Sequence, residues 1–342
     1  MKNLTITIAV VLISHLLFGQ SLVSQNPSYK TVVLEEFTGT SCPNCPPAHI
    51  DLANVMAANS NVIAIAYAPT TTYQTQPYNG GVSLRRTFPN AFHTSTYAGV
   101  AAMPIGFMNR KKYGSSQQRY TLRNTWATNS NAVSVEVSPL NIGAQSIFFS
   151  ASNTLSIDVE LFYHQNITNT INLYVLITED NVAANQSAGN PSTGYIHNHI
   201  FRETVTTGQW GDAITGAKLA NTYYNAAFSF NLNNLIDPIK LADANVVAFV
   251  YDQTTGEIIT GVEVNAMNGT TNACVDDLSI NRVPNLQTQL LDGTYSANNI
   301  NCDAVGKVNE NHEFKATTEI TLENGFEIPL NSEFSAEIDS CQ

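Results

Sequence analysis

Cys42 and Cys45 carry the chemistry most easily read in this chain. They lie in EEFTGTSCPNCPPAH, from Glu35 to His49, and are two of five cysteines in 342 residues. The pair falls where an apolar run ends and a helical pattern begins. The first turn of a helix offers unpaired N–H groups and the positive end of the peptide dipole, which favour a thiolate over a thiol. On that reading Cys42 is the nucleophile and Cys45, one turn inside, resolves the mixed disulfide. A structural disulfide is a second option, although so short a loop removes little entropy from the unfolded chain. A zinc clip is the third, and it needs two further ligands at matching spacing where no second Cys-x-x-Cys exists.

Other groups are weaker candidates. His197-Asn198-His199 puts two imidazoles on one side of a strand, which suits a metal, but no acidic third ligand is nearby in sequence and a polar strand edge explains the pattern equally. No metal and no cofactor is expected. His49 reads as a solvated helix residue whose cationic form would help a thiolate. Cys302 and Cys341 bracket the C-terminal part; pairing them closes a loop worth roughly 4 kcal/mol on the chain-entropy relation. Cys274 is then left over.

The elements that must position these residues fall into three textures behind a secretory leader. Met1-Lys2, an apolar stretch from Leu4 to Gly19 and small or polar residues after it have the layout of a signal peptide over residues 1–25, cleaved between Gln20 and Gln25. The apolar run is short and interrupted for a membrane anchor, and no transmembrane helix is expected after its removal. With no cysteine before Cys42, a lipid anchor on an N-terminal cysteine is not supported. Export puts the thiols in an oxidising compartment.

Residues 28–131 read as strand, helix, strand: Thr31 to Phe37, a helix from Pro46 to Asn59 burying Ile50, Ala53, Met56 and Ala57, and Asn61 to Ala68. Pro104 to Asn109 follows as a third strand and Gln117 to Thr128 as a closing helix. Residues 132–266 carry strand signals only, including VSVEV from Val133, LSIDVELFY from Leu155 and HIFRETV from His199. The alternation of Leu155, Ile157, Val159, Leu161 and Tyr163 is that of a half-buried antiparallel sheet, and the set predicts a β-sandwich. Gly256 turns the last hairpin.

Residues 267–342 open with a linker and continue in short apolar runs. Glu313-Phe314-Lys315-Ala316 recurs as Glu333-Phe334-Ser335-Ala336, which suggests a small β-solenoid-like module. No Asp-x-Asp loop of calcium type appears in it. A net charge of −12 argues against nucleic acid, because neutralising phosphates takes clustered Lys and Arg.

Glu36-Phe37-Thr38-Gly39-Thr40-Ser41-Cys42-Pro43-Asn44-Cys45 resembles the thioredoxin pattern. The resemblance implies a thioredoxin-like domain over 28–131 and makes Glu36 the candidate base for Cys45; a solvated strand-end carboxylate is the alternative. Glu35 would face the other way and be structural. Met103-Pro104 matches the cis-proline that faces the cysteines, so Met103 would offer main-chain hydrogen bonds to a substrate and Pro104 would shape its groove. Ser41 stands where a tryptophan is usual, leaving that surface less apolar. The insertion Pro69 to Gly99, with Tyr73, Tyr78, Phe88, Phe92 and Tyr97, would be a lid or partner-binding loop.

VVLEEFTGTSCPNCPPAH, MPIGFMNR and YIHNHIFRETV together resemble the family named for a twenty-eight-kilodalton outer-membrane protein of Gram-negative anaerobes. FKATTEITLENGFEIPLNSEFSAEI looks like the coat-hanger modules that close many exported proteins of those bacteria. The resemblance implies an exported protein of the outer membrane or cell surface, or of the periplasm, whose partners are envelope or surface proteins with exposed thiols or disulfides. Two functions follow: thiol-disulfide exchange, or a non-catalytic surface scaffold in which Cys42-Cys45 is structural.

Overall fold

The computed structural model describes residues 22–94, 102–115, 117–150 and 152–267, and beyond these only the backbone of five strands, at 269–271, 275–280, 293–302, 311–322 and 333–338. Most of the leader, together with Tyr97, Cys274 and Cys341, therefore lies outside the described residues, and of Cys302 only the backbone is described. The expected Cys302–Cys341 pairing lies outside them as well.

In chain order the first elements are β1 (Val32–Phe37), α1 (Cys45–Ala58), β2 (Val62–Tyr67), β3 (Ile105–Met108), β4 (Tyr120–Thr121) and α2 (Trp126–Ser134). Then come β5 (Leu140–Phe149), β6 (Thr154–Tyr163), β7 (Ile171–Glu179), β8 (Val182–Ala184), β9 (Tyr195–His197), β10 (Ile200–Thr204) and β11 (Asp212–Ala213). They are followed by β12 (Tyr223–Asn231), β13 (Ala244–Asp252), β14 (Glu257–Asn265) and β15 (Gly269–Thr271). The last are β16 (Val275–Ile280), β17 (Gly293–Cys302), β18 (Asn311–Leu322) and β19 (Glu333–Ile338), which pair in parallel in chain order.

The expected succession of a separate thioredoxin-like α/β domain and an independent sandwich is not what forms. One nine-stranded sheet runs through both regions in the order β14-β13-β7-β10-β2-β1-β3-β4, with β11 beside β7. The junction is the parallel pairing of β10 with β2 at Ile200 and Ala66, reinforced by the Ala66 N–H donating to the His199 carbonyl at 2.7 Å. The physical reason is burial: all six residues of β2 are buried, so it is an interior strand whose backbone groups need partners on both sides. The fold is mostly β, with two α-helices among the described residues.

One face of this sheet is covered by two different layers. At the β1 end, α1 and α2 pack on Val32, Leu34, Val62, Ala64 and Met108. At the other end the four-stranded sheet β12-β6-β5-β15 packs on Leu173, Val175, Val246 and Ala248. The alternating residues of β6 from Leu155 to Tyr163 face that second core, as their period requires. The opposite face is aromatic, with Phe37, Tyr67, Phe107, Tyr174, Phe201 and Phe249 in one cluster.

Local expectations shift in three places. In α1 the buried residues include Ala48, Leu52 and Val55, while Ile50 is 63% exposed. The closing helix starts at Trp126, whose fully buried indole fixes its position, and it carries through Val133, where a strand was expected. Phe92 is buried and Phe88 packs beside it in the aromatic core, so these two residues of the insertion are core rather than lid; Tyr73 is exposed.

Candidate redox site

β1 ends at Phe37 and the chain turns through Gly39, where a Cβ would collide with the backbone of Gln74 and Thr75. The Cys42 N–H donates to the Gly39 carbonyl at 3.1 Å, and the Cys45 N–H to the Cys42 carbonyl at 3.3 Å. Asn44 caps α1 without a side-chain hydrogen bond, and proline occupies the first turn, where its missing N–H costs nothing. Cys42 and Cys45 form a disulfide, with Cα atoms 5.5 Å apart.

The disulfide is covered. Cys42 is 1% exposed and Cys45 0%, whereas the sequence placed Cys42 at an open helix end. Two segments bond to the loop that carries it. From the insertion, the Gln74 carbonyl accepts from the Ser41 N–H at 2.8 Å, and the Gln76 carbonyl accepts from the Thr40 and Ser41 hydroxyls at 2.7 and 2.8 Å. From the far side of the chain, the Ser187 N–H donates to the Thr40 carbonyl at 2.8 Å. The Gln186 Nε2 donates to the Cys42 carbonyl at 2.9 Å and the Gly39 carbonyl at 3.3 Å.

Glu36 lies on the helix-covered face of β1, opposite Ala66 in β2. It is 1% exposed and neither carboxyl oxygen has a hydrogen-bond partner. Burial raises its pKa to about 8, so it is mostly protonated at neutral pH. It is not the solvated strand-end carboxylate that was its alternative.

Around it stand histidines brought together by the fold. His49 Nε2 lies 3.8 Å from Glu36 Oε1 and 2.8 Å from the Thr38 hydroxyl, and His49 Nδ1 lies 2.9 Å from the Tyr195 hydroxyl. Burial, then His197 and His199, lower its pKa to about 3. It is therefore a neutral, half-buried imidazole rather than the solvated helix residue expected. His197 is 2% exposed, and burial lowers its pKa to about 4 against an opposing hydrogen bond with the Ala184 backbone.

His197 ends β9, and His199 sits in the turn before β10 with φ +59°, so the two do not share one strand side as the sequence suggested. His199 Nδ1 is 3.2 Å from Asp180, and burial lowers its pKa while Asp180 opposes. Glu36, His49, Tyr195, His197 and His199 line a cavity of about 270 Å³. Among the described residues no group of three or more His, Cys, Asp or Glu is placed to hold a metal ion.

Glu35 faces the aromatic side. Arg110 Nε and Nη2 donate to its two oxygens at 2.6 Å each, and the Tyr67 hydroxyl donates to it at 3.2 Å. The guanidinium lies 4.5 Å above the Phe92 ring and within reach of Tyr174, Phe249 and Tyr251. The Met103–Pro104 bond is cis. Pro104 lines a groove of about 750 Å³ with Asn44, Asp51, Leu122, Arg123 and Asn131, between α1 and the segment leading into α2, while Met103 packs against the aromatic core. Sequence reasoning missed Gln186, Tyr195 and the half-buried setting of His49, since Gln186 meets the cysteine loop and Tyr195 meets α1 from more than 140 residues away.

The family described as Outer membrane protein Omp28 matches residues 91–270, more than half of the chain, a span that begins after the cysteine pair. Comparison with curated proteins finds no match. Among solved structures, HBP35 of Porphyromonas gingivalis is similar at 15% identity with a TM-score of 0.55, covering 71% of this chain and 77% of that one, which is a likeness of fold. A domain of the outer membrane lipoprotein Omp28 from Porphyromonas gingivalis matches at 21% identity and a TM-score of 0.27, over 37% of this chain and 88% of that one. A protein of Agrobacterium tumefaciens matches at 13% identity and 0.42, over 70% of this chain and 96% of that one. No described helix is long and apolar enough to cross a membrane.

Proposed function

The chain belongs to the Omp28 family of outer membrane proteins and is located at the outer membrane or cell surface, and from that premise we propose that it exchanges thiols and disulfides with another envelope or surface protein through Cys42 and Cys45. The observation that carries this is the Cys42–Cys45 disulfide at the start of α1 with an unpartnered, protonated carboxyl, Glu36, delivered by the strand before it.

In the reducing direction on this chain, a partner thiolate attacks Cys42 Sγ, the Cys42–Cys45 bond breaks and Cys45 leaves as a thiolate. Glu36, protonated at neutral pH, supplies the proton that Cys45 takes up. A second partner thiolate then attacks the partner's own sulfur in the mixed disulfide, and Cys42 leaves as a thiolate stabilised by the N-terminus of α1. Two electrons pass from the partner dithiol to the cysteine pair, and the partner departs as a disulfide. The same steps reversed oxidise a partner. Ser41, Met103 and Pro104 are the residues we assign to the approach of that partner, with Pro104 at the end of a groove it shares with Asn44.

The burial of both sulfurs favours one competing reading, a non-catalytic surface protein with a structural disulfide. Trapping separates the two. Cys45→Ser should accumulate mixed disulfides between Cys42 and envelope proteins, and the wild-type pair should have a potential above the range of about −300 mV and below typical of structural disulfides. No trapped partner together with a potential in that range would establish the structural reading.

A further inference from the structure

We propose that the hairpin from Val182 to His197 stands in the docking position of an extended polypeptide over the cysteine loop, so that a partner reaches Cys42 by displacing Gln186 and Ser187. This deepens the thiol-exchange reading and rests on it.

What is displaced is the tip of the hairpin, since Val182 and Ala184 at its base pack in a core with Ala66, Leu84 and Ile200. Its strands β8 and β9 pair only with each other and belong to neither large sheet, so moving its tip breaks no ladder of the core. The tip, Ser187-Ala188-Gly189-Asn190-Pro191-Ser192-Thr193-Gly194, has no large apolar side chain, and residues 190–194 are exposed. Gln186 is its plug, fully buried. Its Nε2 serves the carbonyls of Gly39 and Cys42, but its Oε1 is buried without a partner, so the closed arrangement leaves one polar group unsatisfied.

The bonds it makes define what would replace it. The carbonyls of Gly39, Thr40 and Cys42 all accept from this one segment, two from a side-chain amide and one from a backbone N–H. An extended peptide brings N–H donors in such a row, and its main chain then lies beside the Cys42 sulfur, where a cysteine of that peptide can attack. The occupant is thus a polypeptide segment carrying a thiol between small residues, like the Ser187-Ala188-Gly189 it displaces. The step it makes possible is the exchange written above, one sulfur–sulfur bond formed for each one broken.

The test uses the purified full-length chain in its oxidised form. Reduction rates are measured with two probes, a trialkylphosphine and a synthetic peptide bearing one cysteine between serine and glycine, for wild type, Gln186→Ala, Ser187→Pro and, as a control at the exposed tip, Thr193→Ala. Losing the two side-chain bonds of Gln186, or the one backbone bond of Ser187, each of ordinary strength, should raise the rate with both probes about tenfold and leave Thr193→Ala at the wild-type rate. Amide exchange at Ser187 gives a readout independent of any variant: its protection in the oxidised chain should fall when a non-reactive peptide, with serine in place of cysteine, is added. Rates within twofold of wild type in folded variants, or unchanged Ser187 protection, would overturn the proposal. The phosphine needs no exchange partner, so a chain whose hairpin opens but which forms no peptide mixed disulfide would refute the exchange reading and leave the cover standing.

Discussion

Glu36→Gln tests the acid-base part of the site most directly. The wild-type carboxyl is held at about 8 against an ordinary 4.5, with burial as the cause and no partner oxygen or nitrogen to offset it. A carboxyl raised in this way keeps its proton in the fold while the unfolded chain releases it. The fold is therefore fully supported below 4.5 and loses stability as pH rises toward 8, by about 5 kcal/mol over the whole window and about 3 kcal/mol by pH 7.

Glutamine has the same shape and no proton to lose. His49 and His197, held neutral at about 3 and about 4, act in the opposite sense and weaken the fold as pH falls below 6.5. They are present in both chains and cancel in the difference. Urea unfolding of the oxidised protein at pH 5, 7 and 8.5 should show Glu36→Gln gaining on wild type by about 3 kcal/mol or more between the first and last points. A difference that stays constant within about 1 kcal/mol would mean that Glu36 is ionised in the fold, and the proton source for Cys45 would have to be sought elsewhere.

Arg110→Leu should destabilise the protein by about 3–5 kcal/mol because it leaves Glu35 buried and unpaired, and adding Glu35→Gln should recover part of that loss in a double-mutant cycle. His197→Gln should retain more stability than wild type between pH 6.5 and 4, read from the same denaturant curves, because the neutral imidazole that resists protonation is gone. Replacing both cysteines, Cys42→Ala with Cys45→Ala, should lower stability by about 2 kcal/mol, the amount a loop this short contributes, with mixed-disulfide formation abolished. A much larger loss, measured by thermal or urea unfolding, would favour a structural role for the pair.

The local chemistry was legible where it depends on neighbours in sequence. The start of α1 at Cys45, the alternation of β6 and the turn at Gly256, where φ is +73°, all follow from spacing and residue type. The buried face of α1 was not, because Ile50 competes with Leu52 as an apolar residue and only packing against β2 decides between them. The single sheet was not legible either. Its two halves meet through one residue pair, Ile200 with Ala66, and a pairing across so much chain leaves no periodicity to read. For the same reason Glu36 could be picked out by its place before the cysteines and His197 by its neighbour His199, whereas Gln186 and Tyr195 could not.

Two adjacent residues of β1 bear on the choice between a working pair and a staple. Glu35 and Glu36 are both buried and point to opposite faces of the sheet. On the aromatic face every need of Glu35 is met, by a two-pronged arginine and a tyrosine hydroxyl. On the helix face Glu36 has no partner for either oxygen, and in the hairpin that bonds to the cysteine loop Gln186 has none for its oxygen. Buried polar groups left unpaired work against the fold, and an apolar residue at 36 would be less costly if the disulfide only tied a loop. A buried carboxyl without a partner and with a raised pKa, in a chain that satisfies Glu35 on the neighbouring face, is a group that the proposed exchange would use and that a staple does not need.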